Sequence, residues 1–351
     1  MKEIIEKLNK NGYDAFVVGG YVRDYLLGIS SNDIDICTNA PIEEIMKIFK
    51  GEGKAFKEFY AYHIEKDGFS YDITTFRREL KYKKNKPVEL EIAHSLGEDL
   101  LRRDFTINTF AIDNKGRLVD LLGAKKDLNS RLIKTVGSAK KKFNEDKTRI
   151  LRAIRFACTL DFDLDPEIME FICDKNVHLL NEVTKDFKRK ELDKIFESNG
   201  IDKFFYIANR YNMSKYLNIS YEGRIINTYD KYGIWAQIET DLPFSNKERK
   251  IINSIKEIVD KKNISLEDFN NYDIEAIYNA SSILGLENKV KVFEDFSKLH
   301  SIIDIDLDLN SFIEMVVPDE AIKIYKIVER SIMEGLLINR ASEIKEFIRK
   351  L

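Results

Sequence analysis

The stretch from Phe16 to Cys37, F-V-V-G-G-Y-V-R-D-Y-L-L-G-I-S-S-N-D-I-D-I-C, limits the fold of this chain more than any other. A short apolar run, Ala15 to Val18, stops at Gly19-Gly20. A compact amphipathic segment follows, and Asp33-Ile34-Asp35 opens a second apolar run. That order reads as strand, glycine turn, helix, strand. Asp33 and Asp35 are two residues apart on the second strand, so their carboxylates share one face while Ile34 and Ile36 point the other way. Two converging carboxylates repel each other unless a cation lies between them, and hard oxygen ligands suit Mg²⁺. Gly19 and Gly20 allow backbone N–H groups to approach an anion at a helix N-terminus, with Arg23 one turn further on. No Gly-Lys-Ser/Thr follows, so this is not a Walker loop, and the glycine spacing is wrong for a dinucleotide fingerprint.

Taken together, G-G-x-V-R-D-x-L-L-G and the D-I-D that follows it resemble the signature of the polymerase-β-like nucleotidyltransferases. In detail they resemble the class II tRNA nucleotidyltransferases (CCA-adding enzymes) and their bacterial poly(A) polymerase relatives. The resemblance implies that Asp33 and Asp35 hold two Mg²⁺ ions and that Gly19, Gly20 and Arg23 bind the nucleotide. It also implies a third carboxylate at Asp72, in Y-D-I-T-T-F-R, where the family has Glu and this chain is one methylene shorter. Leu101-Arg-Arg-Asp-Phe-Thr-Ile-Asn108 resembles the family's ribose and triphosphate element, with Thr109 in place of the customary Ala. On that analogy Arg103 pairs with phosphate, Asp104 accepts from a ribose hydroxyl and Asn108 steadies the same corner. The stretch Phe76 to Leu90 resembles the family's flexible loop. It keeps Arg77, Tyr82 and Pro87 but has Glu79, Lys84 and Lys86 where Asp, Asp and Arg are usual. Asp120-Leu-Leu-Gly-Ala124 resembles the family's hinge with its Pro and second Gly lost.

The segment Phe143 to Ala157 reads as one helix, on which Asp146 and Arg149 are neighbours. Its pattern E-D-x-x-R-x-x-R-A-x-R-F resembles the family's base-selecting helix, which implies nucleotide contacts for Asp146, Arg149, Arg152 and Arg155. Beyond it, Thr184 to Lys194 matches a family element only at Glu191 and Lys194.

Along the rest of the chain, Ile4, Ile5 and Leu8 give one helical face, and Pro41 opens a helix with a stripe of Ile42, Ile45, Met46 and Phe49. Asp67-Gly68 marks a hairpin, and a second is expected across Asn114-Lys-Gly116. After residue 138 helical periodicity takes over, with expected segments at 145–160, 167–180, 188–197, 247–260, 319–335 and 341–351. The expected fold is α+β: a nucleotidyltransferase head with a mixed sheet (1–137), a helical neck with base recognition (138–200), and a helical, RNA-binding body and tail (201–351).

The three cysteines form no C-x-x-C pair and read as buried thiols in a reducing compartment. No apolar run reaches membrane-span length and the N-terminus reads as an amphipathic helix, so a cytoplasmic location without membrane contact is expected. None of His63, His94, His178 or His300 precedes Asp, so an HD-type phosphohydrolase domain is not expected. A net charge of −3 does not advertise nucleic-acid binding, so RNA contact must rest on local patches such as Lys140–Lys142 and Lys185–Lys190. The resemblance implies template-independent addition of C-C-A to the 3′ end of tRNA from CTP and ATP, with release of pyrophosphate. It implies no protein partner. A poly(A) polymerase or a partial C-C-A-adding enzyme is the alternative within the fold, and a non-catalytic RNA-binding protein is the alternative of another class.

Overall fold

A computed structural model describes residues 2–173, 175–297 and 303–351; His300 lies outside them. Packing divides the chain after Asn218 into two compact units.

The first unit opens with α1 (Lys2–Lys10), which buries Ile4, Ile5 and Leu8. Then come β1 (Ala15–Val18), α2 (Gly20–Leu27), β2 (Asp33–Thr38), α3 (Ile42–Ile48), β3 (Lys54–Phe56), β4 (Ala61–Lys66) and β5 (Phe69–Thr75). Asp67 and Gly68 both take positive φ, which gives the β4–β5 turn the twist of a tight hairpin. The chain continues through β6 (Arg77–Lys83), β7 (Lys86–Ile92), α4 (Leu96–Leu101), β8 (Ala111–Ile112) and β9 (Leu118–Val119). A seven-stranded sheet runs in the order β3-β4-β5-β2-β1-β8-β9. Only β2 and β5 pair in parallel within it; the other pairings are antiparallel. Its core includes Val17, Val18, Ile34, Ile36, Ile73 and Phe110, so the apolar alternation of β2 leaves Asp33 and Asp35 on the solvent side.

The stretch resembling the family's flexible loop forms a hairpin of β6 and β7, closed by Lys84 and Asn85, both at positive φ. Asn85 ties its tip to the helical part. Its Nδ2 donates to the Glu182 carbonyl at 2.8 Å, and its Oδ1 accepts from the Lys147 N–H at 3.0 Å.

After α5 (Ala124–Asn129) and β10 (Leu132–Ile133), the single helix expected from Phe143 to Ala157 is split. The first piece, α6 (Ala139–Glu145), ends before Asp146, which is extended at φ −144° and ψ 105°. The second, α7 (Thr148–Thr159), begins two residues later. The cause is local: Asp146 Oδ1 accepts from both the N–H and the hydroxyl of Thr148, a capping arrangement that competes with helix continuation. The helix expected over 167–180 is likewise shorter, ending as α8 (Pro166–Phe171) after β11 (Asp163–Leu164), with a 3₁₀ segment at Val177–Glu182. Residue 174 between them lies outside the described residues. Then α9 (Lys185–Phe196) and α10 (Ile201–Arg210) pack beside α7. Lys142 and Lys188 are buried, so neither belongs to an exposed basic patch.

Among the described residues of the second unit, the regular elements are helices apart from one two-residue strand pair. Helices Asn246–Asp260, Ile274–Leu284, Glu287–Ser297, Leu309–Ile313, Ala321–Met333 and Ala341–Ile348 supply a core that includes Ile255, Ile258, Ile277, Phe293, Phe312 and Val328. Ser245 and Glu248 form a reciprocal capping box at the first of these. The expected α+β head followed by helices is therefore the observed architecture.

Candidate nucleotide-binding site

The parallel register of β2 and β5 sets Asp35 level with Asp72 and Asp33 level with Ser70. Residues level on neighbouring strands present their side chains to one face, so the three carboxylates share a single patch of sheet. Partial desolvation by the surrounding head pushes the Asp35 carboxyl above its ordinary range. Arg103 and Arg102 oppose the shift, while the charges of Asp72 and Asp33 add to it. Among the described residues no three His, Cys, Asp or Glu side chains converge enough to enclose a metal unaided. The donor set is nonetheless all hard oxygen, and it carries a repulsion that a divalent cation would relieve. The donor chemistry, rather than the present spacing, suits such an ion.

Gly19 sits at the rim with φ +79°, donating its N–H to the Phe110 carbonyl. A Cβ there would lie 2.8 Å from Arg103 Nη1 and 2.9 Å from Asp35 Oδ2, closer than real Cβ contacts come. Glycine thus lets the loop pass between a carboxylate and a guanidinium. Arg103 is loosely held: Nη1 reaches the Asn108 carbonyl at 3.3 Å, Nη2 reaches buried Asp99 at 3.4 Å, and buried Nε has no partner. A part-buried, half-satisfied guanidinium is poised to take an anion. Arg23 differs. It is buried, donates to Asn108 Oδ1 at 2.6 Å and to Asp24, and lies over the Phe156 ring at 4.8 Å, so it braces the corner from inside.

Beside this corner, a cleft of about 320 Å³ is lined by Tyr82, Arg103, Asp104, Asp146, Arg149 and Arg152, among others. Asp104 is almost saturated. Oδ1 accepts from the Phe105 N–H and Asn108 Nδ2, and Oδ2 accepts from Nε and Nη2 of Arg152 at 2.8 and 2.6 Å. Burial alone would raise its pKa, but Arg152 and these hydrogen bonds outweigh it and hold the carboxyl well below the usual range. Arg149 is similarly occupied: Nη2 donates to Tyr82 Oη at 2.8 Å, and Nη1 to the Lys142 carbonyl and Glu145. Its Nε lies 3.9 Å from Asp146 Oδ2, so the two stay adjacent across the helix break. Burial pushes the Asp146 carboxyl up against the pull of Thr148, Arg149 and Arg152. Arg155 does not join them; its Nε donates to buried Glu191 at 2.6 Å.

Residues 15–134 match the family described as the poly A polymerase head domain. The CCA-adding enzyme of Bacillus licheniformis is 39% identical over 215 residues, which are 61% of this chain and 54% of that relative. This chain's match thus spans about half the length of the curated relatives. Over almost the whole chain the fold is that of the Bacillus stearothermophilus CCA-adding enzyme solved with CTP, at TM-score 0.72 and 23% identity, covering 99% of this chain and 96% of that one. The Thermotoga maritima CCA-adding enzyme complexed with tRNA aligns at TM-score 0.63 and 21% identity, covering 99% and 94%.

Within the head domain, some participants escape a motif reading. Asp99 is fully buried and receives Arg102 Nε at 2.9 Å as well as Arg103, making it the hub of the basic element. Its spacing to Arg102 and Arg103, three and four residues on and just past the end of α4, was the signal available. Glu79 accepts from Tyr82 Oη and from Arg102, which links the hairpin to Arg149 through Tyr82. Nothing in the sequence announces that link, because it joins residues 67 positions apart.

Proposed function

We propose that this protein completes C-C-A at the 3′ end of tRNA from CTP and ATP without a nucleic-acid template, releasing pyrophosphate, in the cytoplasm. No described helix is long and apolar enough to cross a membrane. The observation that carries this reading is the level alignment of Asp35 with Asp72, beside an under-bonded Arg103 and a cleft lined by Asp146 and Arg149. It is supported by the CCA-adding enzymes that the chain matches.

Asp33 and Asp35, with Asp72 beside them, would hold Mg²⁺. The chemistry supplied there is a lowered pKa for the primer's 3′-hydroxyl and charge compensation for the leaving pyrophosphate. Arg103 and the Gly20 N–H grip the triphosphate and orient it for in-line attack, while Arg23 fixes the corner through Asn108. Asp104 meets the ribose by exchanging one of its four present donors for a ribose hydroxyl.

Base choice follows from hydrogen-bond polarity. Cytosine and adenine present an amine donor beside a ring-nitrogen acceptor, whereas guanine and uracil present a carbonyl beside a ring N–H. A carboxylate at Asp146 and a guanidinium at Arg149 complement the first pair and meet the second with like against like. Arg149 would trade one of its protein acceptors for the base. The deciding measurement is nucleotide incorporation on tRNA ending before C-C-A, with each NTP alone and in mixture. We expect two C and one A added, and no extension with UTP or GTP. Long A tracts would instead assign a poly(A) polymerase, and no incorporation would overturn the catalytic reading.

A further inference from the structure

One row of the sheet carries a residue that the reaction described above does not use. β4 sets His63 directly opposite Asp72, and β5 sets Asp72 level with Asp35, so the three stand in line on one face. His63 Nδ1 lies 2.8 Å from Asp72 Oδ1, and Nε2 lies 2.8 Å from Glu65 Oε1. Glu65 is level with Ser70, and therefore with Asp33, in the adjacent row of the same face. Both ring nitrogens are thus engaged, which fixes the imidazole against rotation about its Cβ–Cγ bond. Asp72 has a side chain 56% exposed. Among the described residues, His63 is the only group bonded to its carboxylate. Without that bond an exposed aspartate would sample several rotamers, each pointing its oxygens differently.

We propose that His63, itself braced by Glu65, is a positioning residue that holds the Asp72 carboxylate in a single rotamer on the face it shares with Asp35. The proposal rests on the reading of Asp33, Asp35 and Asp72 as the metal-holding corner. An exposed pair contributes little to folding, so variants at His63 should fold normally, and their effects report on the corner itself. An outer group that orients a metal-binding carboxylate changes metal affinity or rate by about 10–100-fold when it is removed.

The test compares the wild type with His63→Leu, His63→Asn and, as a control on the corner, Asp35→Asn. Two readouts are used: Mn²⁺ binding to the protein alone, followed by the free-ion EPR signal, and kcat and KM for CTP on tRNA ending before C-C-A. In His63→Leu we expect Mn²⁺ affinity and kcat each to fall about 10-fold, with KM for CTP within about twofold of wild type, since the cleft is untouched. His63→Asn, whose amide can donate where Nδ1–H does, should recover most of both losses. Wild-type affinity and kcat in His63→Leu, or no recovery in His63→Asn, overturn the proposal while leaving the corner assigned. Wild-type Mn²⁺ binding and turnover in Asp35→Asn would overturn the corner and the proposal together.

Discussion

The sheet corner and the cleft beside it hold their charges in opposite ways. At the corner, Asp33, Asp35 and Asp72 crowd like charges together, and Arg103 leaves a buried Nε without a partner. In the cleft nearly every charged group is already paired: Asp104 with Arg152, and Arg149 with Tyr82 and Glu145. The first region is built with a charge deficit that a ligand completes. The second is a self-consistent network whose shape exists before any ligand arrives. Where a protein leaves electrostatics unfinished, substitution costs function; where it finishes them, substitution also costs folding.

The sharpest test of that contrast is Asp35→Asn. Turnover should fall by at least about 10³-fold, the scale at which charge-stabilising groups act. Stability at neutral pH should not fall, because a carboxyl whose folded pKa is raised destabilises the fold when ionised. A melting curve beside an incorporation assay reads both, and a clear loss of melting temperature would break the contrast at the corner.

Next comes Arg149→Ala, for which selectivity is the diagnostic quantity. The ratio of kcat/KM for CTP or ATP over UTP or GTP should fall by about 10-fold, the worth of one mismatched buried group, because Asp146 still discriminates. Uniform slowing of all four nucleotides would make Arg149 part of the scaffold alone.

For Arg152→Met the effect falls on stability. Stripping Asp104 of its charged partner should cost about 2–3 kcal/mol at pH 7, toward the low end because Arg152 is a third exposed. The sign with pH follows from the depressed Asp104 carboxyl. Its contribution is present above the unfolded aspartate pKa of about 3.9 and fades as pH falls through the folded value. The gap between wild type and variant, measured by denaturant unfolding, should therefore narrow below about pH 4. A gap that is constant with pH would mean lost packing over Phe156 rather than lost charge.

The corner was more legible in the sequence than the cleft, for a physical reason. Gly19-Gly20, Asp33-Ile-Asp35 and the Asp67-Gly68 hairpin are local patterns, and strand register does the remaining work of bringing Asp72 to Asp35. The cleft depends on side chains overriding the local pattern. Asp146 looks like part of a continuous amphipathic helix, yet its carboxylate caps α7 and interrupts the turn. The hairpin from Arg77 to Ile92 has charged residues on both faces and no glycine at its turn, so alternation gives no strand signal. Lys142 reads as part of a surface run, but its Nζ donates inward to the Leu101 carbonyl at 2.9 Å, and burial lowers its pKa to about 8.

The Asn85 amide has a consequence for how this molecule comes to be folded. One short side chain joins position 85 to 147 and to 182, closing loops 62 and 97 residues long. Contacts across such separations are entropically costly to form early, so they complete after the elements they join. The head's sheet and hairpin can form as the chain emerges, but the hairpin tip cannot be seated until α6, α7 and the 3₁₀ segment at Val177–Glu182 have packed. Slow amide exchange at Lys147, whose N–H points to Asn85, would then mark the last step of assembly, when the cleft first acquires its final shape.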